Sequence, residues 1–169
     1  GISDYTVITI LADSKDNIWV GTQSIAFNRF NKKTERFKHY KNNPRDSTSI
    51  SSNLVNCVYE DSKGNLWIGT FGGGLCQYNY ASDNFTTHTR GKDLPWNSVF
   101  SIREDNAGNI WLGTENGLAC YFISQKNFVT YDIHDGLQDK LFAAGFRLVG
   151  SSLKDKDGIL YFGGRSGLN

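Results

Sequence analysis

The stretch Gly64 to Thr70, GNLWIGT, returns as GNIWLGT at 108–114 and as DNIWVGT at 16–22. A weaker copy, GILYFGG, sits at 158–164. A repeated apolar unit constrains the fold strongly, because one unit cannot bury its own faces and must stack on its neighbours. Trp19, Trp67, Trp111 and Tyr161 follow one another at spacings of 48, 44 and 50 residues. Periods of about 40–50 residues suit propeller blades or helical arrays.

The local pattern decides between these. In the second copy, 54–59, 66–70, 75–80 and 85–89 are short β-prone runs. They are separated by Asp61-Ser62-Lys63-Gly64-Asn65, the loop Phe71-Gly72-Gly73-Gly74, and Ala81-Ser82-Asp83-Asn84. Four such runs joined by turns predict an antiparallel meander. The first and third copies repeat it, and no segment holds a helical period. In LWIGT, Trp67 points one way while Leu66 and Ile68 point the other, so both faces are apolar, as in a sheet sandwiched between two others. The reading is all-β: a partial β-propeller of four-stranded antiparallel blades, with three full repeats and the start of a fourth. Blade repeats are placed at 5–53, 54–97, 98–145 and 146–169.

The turns account for much of the Gly. Asp61 and Asp105, each three residues before Gly64 and Gly108, predict type I turns ending in a left-handed residue. Asp16 takes that slot in the first copy, which Asp tolerates at some cost. Gly69 and Gly113 are expected to admit the Trp of a neighbouring blade.

Composition excludes several classes. A net charge of +1 with both signs scattered leaves no basic stripe for nucleic acid. No apolar run is long enough to span a bilayer. The chain has no Met, even at position 1, and reads as a piece of a longer protein. Cys57, Cys76 and Cys120 are odd in number and lack metal spacing. Repeat alignment sets Cys76 opposite Ala119 and Cys120 opposite Gln77, so their side chains point to different sides. They are read as buried small hydrophobes rather than a disulfide framework.

The pattern V-x-x-I/V-x-E-D-x-x-G-N-L/I-W-I/L-G-T followed by G-L, carried by Val55 to Leu75 and Val99 to Leu118, resembles the two-component regulator propeller repeat. The linkers at 47–53 and 91–97 and the tail from Gly136 to Asn169 fit the same family. Asp16, and Tyr161 with Gly164, depart from the motif and imply less regular first and fourth blades. The resemblance implies the periplasmic sensor region of a membrane-anchored hybrid histidine kinase, one that responds to oligosaccharides and controls genes for polysaccharide use. It implies no catalysis by this piece and no cofactor or metal. Family rings usually hold about seven blades, so the chain should be an open arc whose bare end faces favour self-association or a homodimer. Alternatives are a propeller-fold lyase or hydrolase, and a scaffold that binds only protein.

Trp19, Trp67, Trp111 and Tyr161 sit at one position of the second strand and are read as core. Candidates for ligand contact lie in loops, where function concentrates. Trp96 and Phe71 offer aromatic faces for sugar rings. Arg45, Arg90, Arg147 and Glu115 offer hydrogen bonds to a glycan or its acidic groups. His39, His88 and His134 have no catalytic partner at a recognisable spacing; His88 is read as structural and His134-Asp135 as a turn. The Asp-x-x-Gly-Asn turns lack the alternating carboxylates of a calcium loop. Gly72-Gly73-Gly74 lacks the Lys-Ser/Thr and helix of a phosphate loop.

Overall fold

The computed structural model describes residues 1–143 and 150–169. Blade 1 is β1 (Val7–Ala12), β2 (Asn17–Thr22), β3 (Phe27–Asn31) and β4 (Arg36–Tyr40). Blade 2 is β5 (Val55–Glu60), β6 (Leu66–Thr70), β7 (Leu75–Asn79) and β8 (Asn84–His88). Blade 3 is β9 (Val99–Glu104), β10 (Ile110–Thr114), β11 (Gly117–Phe122) and β12 (Asn127–Tyr131). Blade 4 has three strands, β13 (Ser151–Lys154), β14 (Leu160–Gly164) and β15 (Gly167–Leu168). Every sheet is an antiparallel meander in chain order. The propeller reading therefore holds, with the fourth blade begun. One 3-10 turn, Ile133–Asp135, carries an N-terminal capping box of Asp132 and Asp135 and a left-handed Gly136 at its other end, which places His134 in a turn as expected.

The turns form as the Gly positions require. Gly64 has φ 77° and Gly108 φ 84°, and Asp16 substitutes with φ 64°. Gly64 N–H donates to Asp61 O at 2.9 Å, and Asp61 N–H to Asn65 O at 2.9 Å, closing the hairpin. The first strand of each of the first three blades pairs only with the second and packs against the first strand of the next blade, so β1, β5, β9 and β13 are the inner strands. The first three inner strands carry a β-bulge, at Ile8, Asn56 and Phe100, where the register slips by one residue. Bulges bend an edge and re-aim a side chain.

The core lies between blades. Trp19, Phe27 and Tyr40 of blade 1 meet Leu66, Ile68, Tyr78 and Phe85 of blade 2. Trp67 of blade 2 meets Ile102, Ile110 and Leu112 of blade 3. Between blades 3 and 4 the cluster shrinks to Leu118, Phe142 and Phe162, with Trp111 only partly covered. All five residues of β6 are buried, as a sheet sandwiched on both sides demands. The approach at Gly69 differs from the sequence expectation. A Cβ there would sit 2.8 Å from Val99 Cγ1 and 2.4 Å from Cys57 Sγ, and one at Gly113 would meet Ser101, Phe142 and Phe162. The inner strand of the next blade, not its Trp, comes close to Gly69, because Trp111 faces the junction of blades 3 and 4.

Carboxylates lock the spacing. Glu60 of blade 2 accepts from Ser14 N–H at 2.8 Å and Ser14 Oγ–H at 2.6 Å. Glu104 of blade 3 repeats both bonds with Ser62, at 2.8 and 2.6 Å. At the equivalent positions of the next junction stand Lys154 and Asn106, which cannot form that pair. The outer surfaces of the arc expose Ile10 on blade 1 and Leu153, Ile159 and Leu168 on blade 4.

Candidate functional site

Each GT-terminated second strand ends in a loop that its Thr closes. Thr70 Oγ1 donates to Gly74 O at 2.9 Å, and Thr22 and Thr114 do the same to Ala26 O and Gly117 O. These loops and the linkers between blades lie at one end of the blades, where hydrogen bonds join them. Gly74 N–H donates to Asn97 O at 2.6 Å and Phe71 N–H to Leu54 O at 3.0 Å. Asn97 N–H donates to Glu115 Oε1 at 3.1 Å, Glu115 N–H to Ser98 O at 3.3 Å, and Arg90 N–H to Asn97 Oδ1 at 2.9 Å. Phe71, Arg90, Trp96 and Glu115 are thus gathered around Asn97 and Ser98.

Phe71 keeps 41% of its surface in water, whereas Trp96 lies half-buried against the core between blades 2 and 3. Arg90 and Glu115 are exposed. Arg45 stands apart, in its own turn over Asn43 to Asp46, where its N–H bonds Asn43 Oδ1 at 3.1 Å. Arg147 lies outside the described residues. Beside Trp96, the 91–95 linker and the outer strand β12 frame a cleft of about 390 Å³, with Lys92, Asp93, Phe128 and Thr130 in its wall. His88 supports that wall. Its Nδ1 bonds Asp93 Oδ2, and its ring packs 5.4 Å from Phe128 and 5.2 Å from Tyr121. An exposed aromatic ring, a second ring in a cleft and nearby charged hydrogen-bonding groups suit a polyhydroxylated ligand, whose rings stack while its hydroxyls bond.

Asn97, Asp93 and Phe128 were not singled out from sequence. For Asn97 a signal existed: Asn53 occupies the same position before blade 2 and also bonds its own linker, accepting from Asn42 N–H at 2.7 Å. For Phe128 there was none, since an outer-strand aromatic reads as packing.

The opposite end of the blades holds a different network. Each turn Asp acts as a hub. Asp61 Oδ1 accepts from the N–H of Lys63 and Asn65, and its Oδ2 from Asn65 Nδ2 and Trp67 Nε1, both at 2.9 Å. Asp13 and Asp105 repeat this with Trp19 and Trp111. Burial pushes the Asp13 and Asp105 carboxyls up, but the indole and Asn bonds outweigh it and hold both below the usual range. Trp19 is fully buried, Trp67 nearly so, and Trp111 and Tyr161 are partly covered. Burial also raises the Cys57 and Cys120 thiols to about 12, which leaves them protonated and unreactive. The three cysteines are free.

Asp83 ties blade 2 to blade 1. Tyr40 Oη donates to Asp83 Oδ1 at 2.6 Å, Tyr78 and Lys38 also bond it, and Arg29 Nη1 lies 3.7 Å away. Burial opposes its ionisation, yet these partners bring its carboxyl from 3.8 down to about 2. A depressed carboxyl stabilises the fold above its unfolded value, and that contribution fades as pH falls through the folded value. The melting temperature should therefore drop from about pH 4 to about pH 2. D83N should melt lower than wild type at neutral pH and respond less over that window, as measured by melting curves across pH.

Among the described residues no three His, Cys, Asp or Glu gather at metal-binding distance, and no helix is long and apolar enough to cross a membrane.

The family model "Two component regulator propeller" matches residues 1–24, 49–72 and 93–116. The extracellular domain of a hybrid two-component system from B. thetaiotaomicron superposes with a TM-score of 0.85 and 30% identity, covering 99% of this chain and 22% of that one. A second such domain from the same organism gives a TM-score of 0.74 at 22% identity, over 99% of this chain and 24% of that one, and shows the fold. "Histidine kinase P4" of Formosa agariphila is 49% identical over 51 residues, 30% of this chain and 4% of that protein. The chain therefore spans less than a quarter of the solved domains and a small part of the kinase.

Proposed function

Because this chain is built of two-component regulator propeller repeats, like the extracellular domains of hybrid two-component systems, we propose that it is part of a periplasmic sensor that binds an oligosaccharide and reports it to a kinase. The observation that carries the reading is the superposition of the chain along its length on such an extracellular domain at 30% identity. The loop end supports the ligand class: Phe71 exposes a ring above the Asn97 junction, with Arg90 and Glu115 around it. The parent is membrane-anchored, and self-association of such parents belongs to the same reading. Signalling requires that ligand favour one arrangement of propellers or dimer partners over another, since equal affinity for both shifts nothing. The test is thermal melting of the parent's complete propeller region against a panel of oligosaccharides. One glycan class should raise the melting temperature, as saturation at about 100 times the dissociation constant adds roughly 2.7 kcal/mol. F71A should weaken that response while melting like wild type without ligand, because its ring is largely in water. No shift with any glycan would overturn the reading.

A further inference from the structure

A second cavity, of about 360 Å³, lies against the first halves of all four inner strands, on the side of the loop end. Its wall includes the bulge residues Asn56 and Phe100, followed by Ser101 and Arg103, and Ser151 and Ser152 of blade 4. Among the described residues no Asp or Glu lines it. Asn56 and Ser101 are 4% and 3% exposed. Asn56 Nδ2 donates to Val99 O at 2.9 Å, so its amide is fixed. Ser101 Oγ is buried without a hydrogen-bond partner among the described residues. A buried hydroxyl left unpaired is uncommon in a native fold and marks a place where a partner is missing.

Among the described residues Arg103 is the cation of this wall. Its Nη1 donates to Ile102 O at 2.8 Å and its Nη2 to Ser152 O at 2.5 Å, while its guanidinium lies 5.8 Å from the Tyr59 ring. These contacts hold the fork in place and use two of its five N–H groups. Among the described residues no carboxylate pairs with it. A positioned, half-buried guanidinium facing neutral walls favours an oxyanion, which can accept from the fork in bidentate fashion.

We propose that this inner-strand cavity seats the oxyanion of an acidic sugar, a carboxylate or a sulfate ester, with Arg103 as its cation and Ser101 as a hydroxyl donor. This rests on the sensor reading and narrows its ligand class to acidic oligosaccharides. Neutral sugar hydroxyls near the group would meet Ser151 and Ser152.

Isothermal titration of the parent's complete extracellular region tests it, with a galacturonate trisaccharide, a sulfated galactose trisaccharide, a neutral galactose trisaccharide and inorganic sulfate as probes. At least one acidic trisaccharide should bind about tenfold or more tightly than the neutral one, the factor expected of one charge-assisted bond. R103Q should abolish that preference. Arg103 also bonds blade 4, so S101A guards against simple misfolding. Removing an unpartnered hydroxyl should leave melting unchanged or raise it, yet weaken acidic-sugar binding several-fold. Whichever acidic sugar wins identifies the oxyanion. Equal binding of acidic and neutral sugars, or S101A binding like wild type, would overturn the inference and leave the sensor reading standing. Inorganic sulfate binding as tightly as the sulfated sugar would overturn it in favour of a free anion. Silence from this panel overturns this inference, while the sensor reading falls only if the wider glycan panel is silent as well.

Discussion

D61A is expected to cost roughly 3–5 kcal/mol, the range for breaking a buried charged hydrogen-bond network. Asp61 is 5% exposed and Trp67 2% exposed. The carboxylate serves the backbone N–H of Lys63 and Asn65 through one oxygen, and Asn65 Nδ2 and the Trp67 indole through the other. Alanine leaves the indole N–H with no acceptor inside a packed interface, where water cannot replace it. It also frees the turn that sets the register of β5 and β6. D61N should fall between, because its amide keeps one oxygen but points N–H groups at other donors. Asp155 is the internal control. It holds the same turn, with bonds to Asp157 N–H and Ile159 N–H at 3.0 and 2.8 Å, but serves the partly exposed Tyr161 instead of a buried Trp. D155A should lose much less. Urea denaturation of the parent's propeller region gives the comparison, and equal losses for both variants would refute the hub.

G74A is expected to be the other severe change, at about 3 kcal/mol or more, from overpacking and left-handed strain together. Gly74 has φ 77°, and a Cβ there would sit 2.1 Å from His88 O, a backbone atom that cannot swing away. The shift would also strain the Gly74 N–H bond to Asn97 O, which joins the loop to the candidate site. Gly72, two residues earlier, has φ 74° with nothing within 4 Å of an added Cβ. G72A therefore isolates the backbone cost, about 1 kcal/mol. The difference between the two melting curves measures the collision. G74A should also blunt any glycan-induced rise in melting temperature, whereas G72A should not. If both variants melt alike, the close approach to β8 is wrong.

Blade identity was legible because Trp spacing and two-sided apolar strands report directly on stacking. The turns were legible too, since Gly64, Gly108 and Asp16 must adopt positive φ. The hub role of Asp61 was not read, although its signal was present: Asp stands four residues before Asn and six before Trp in the first three copies. A turn explained the Asp locally, so the longer bond to Trp67 went unnoticed. The partner of Gly69 was misread because contacts between blades carry no sequence period. Gathering of Phe71, Arg90, Trp96 and Glu115 follows from a meander placing alternate connections at one end, while Arg45, in a longer linker, falls into a separate turn. The inner cavity was invisible beforehand, since a bulge shifts Asn56 and Phe100 off the strand alternation on which side-chain direction is read.

The most direct test of the account is autophosphorylation of the full-length parent in lipid vesicles, with and without the glycan that raises its melting temperature. Phosphoryl incorporation should change with that glycan and not with a non-binding one, and the glycan should be recovered intact. Unchanged phosphorylation at saturating glycan, or a parent that cleaves the glycan, would contradict it.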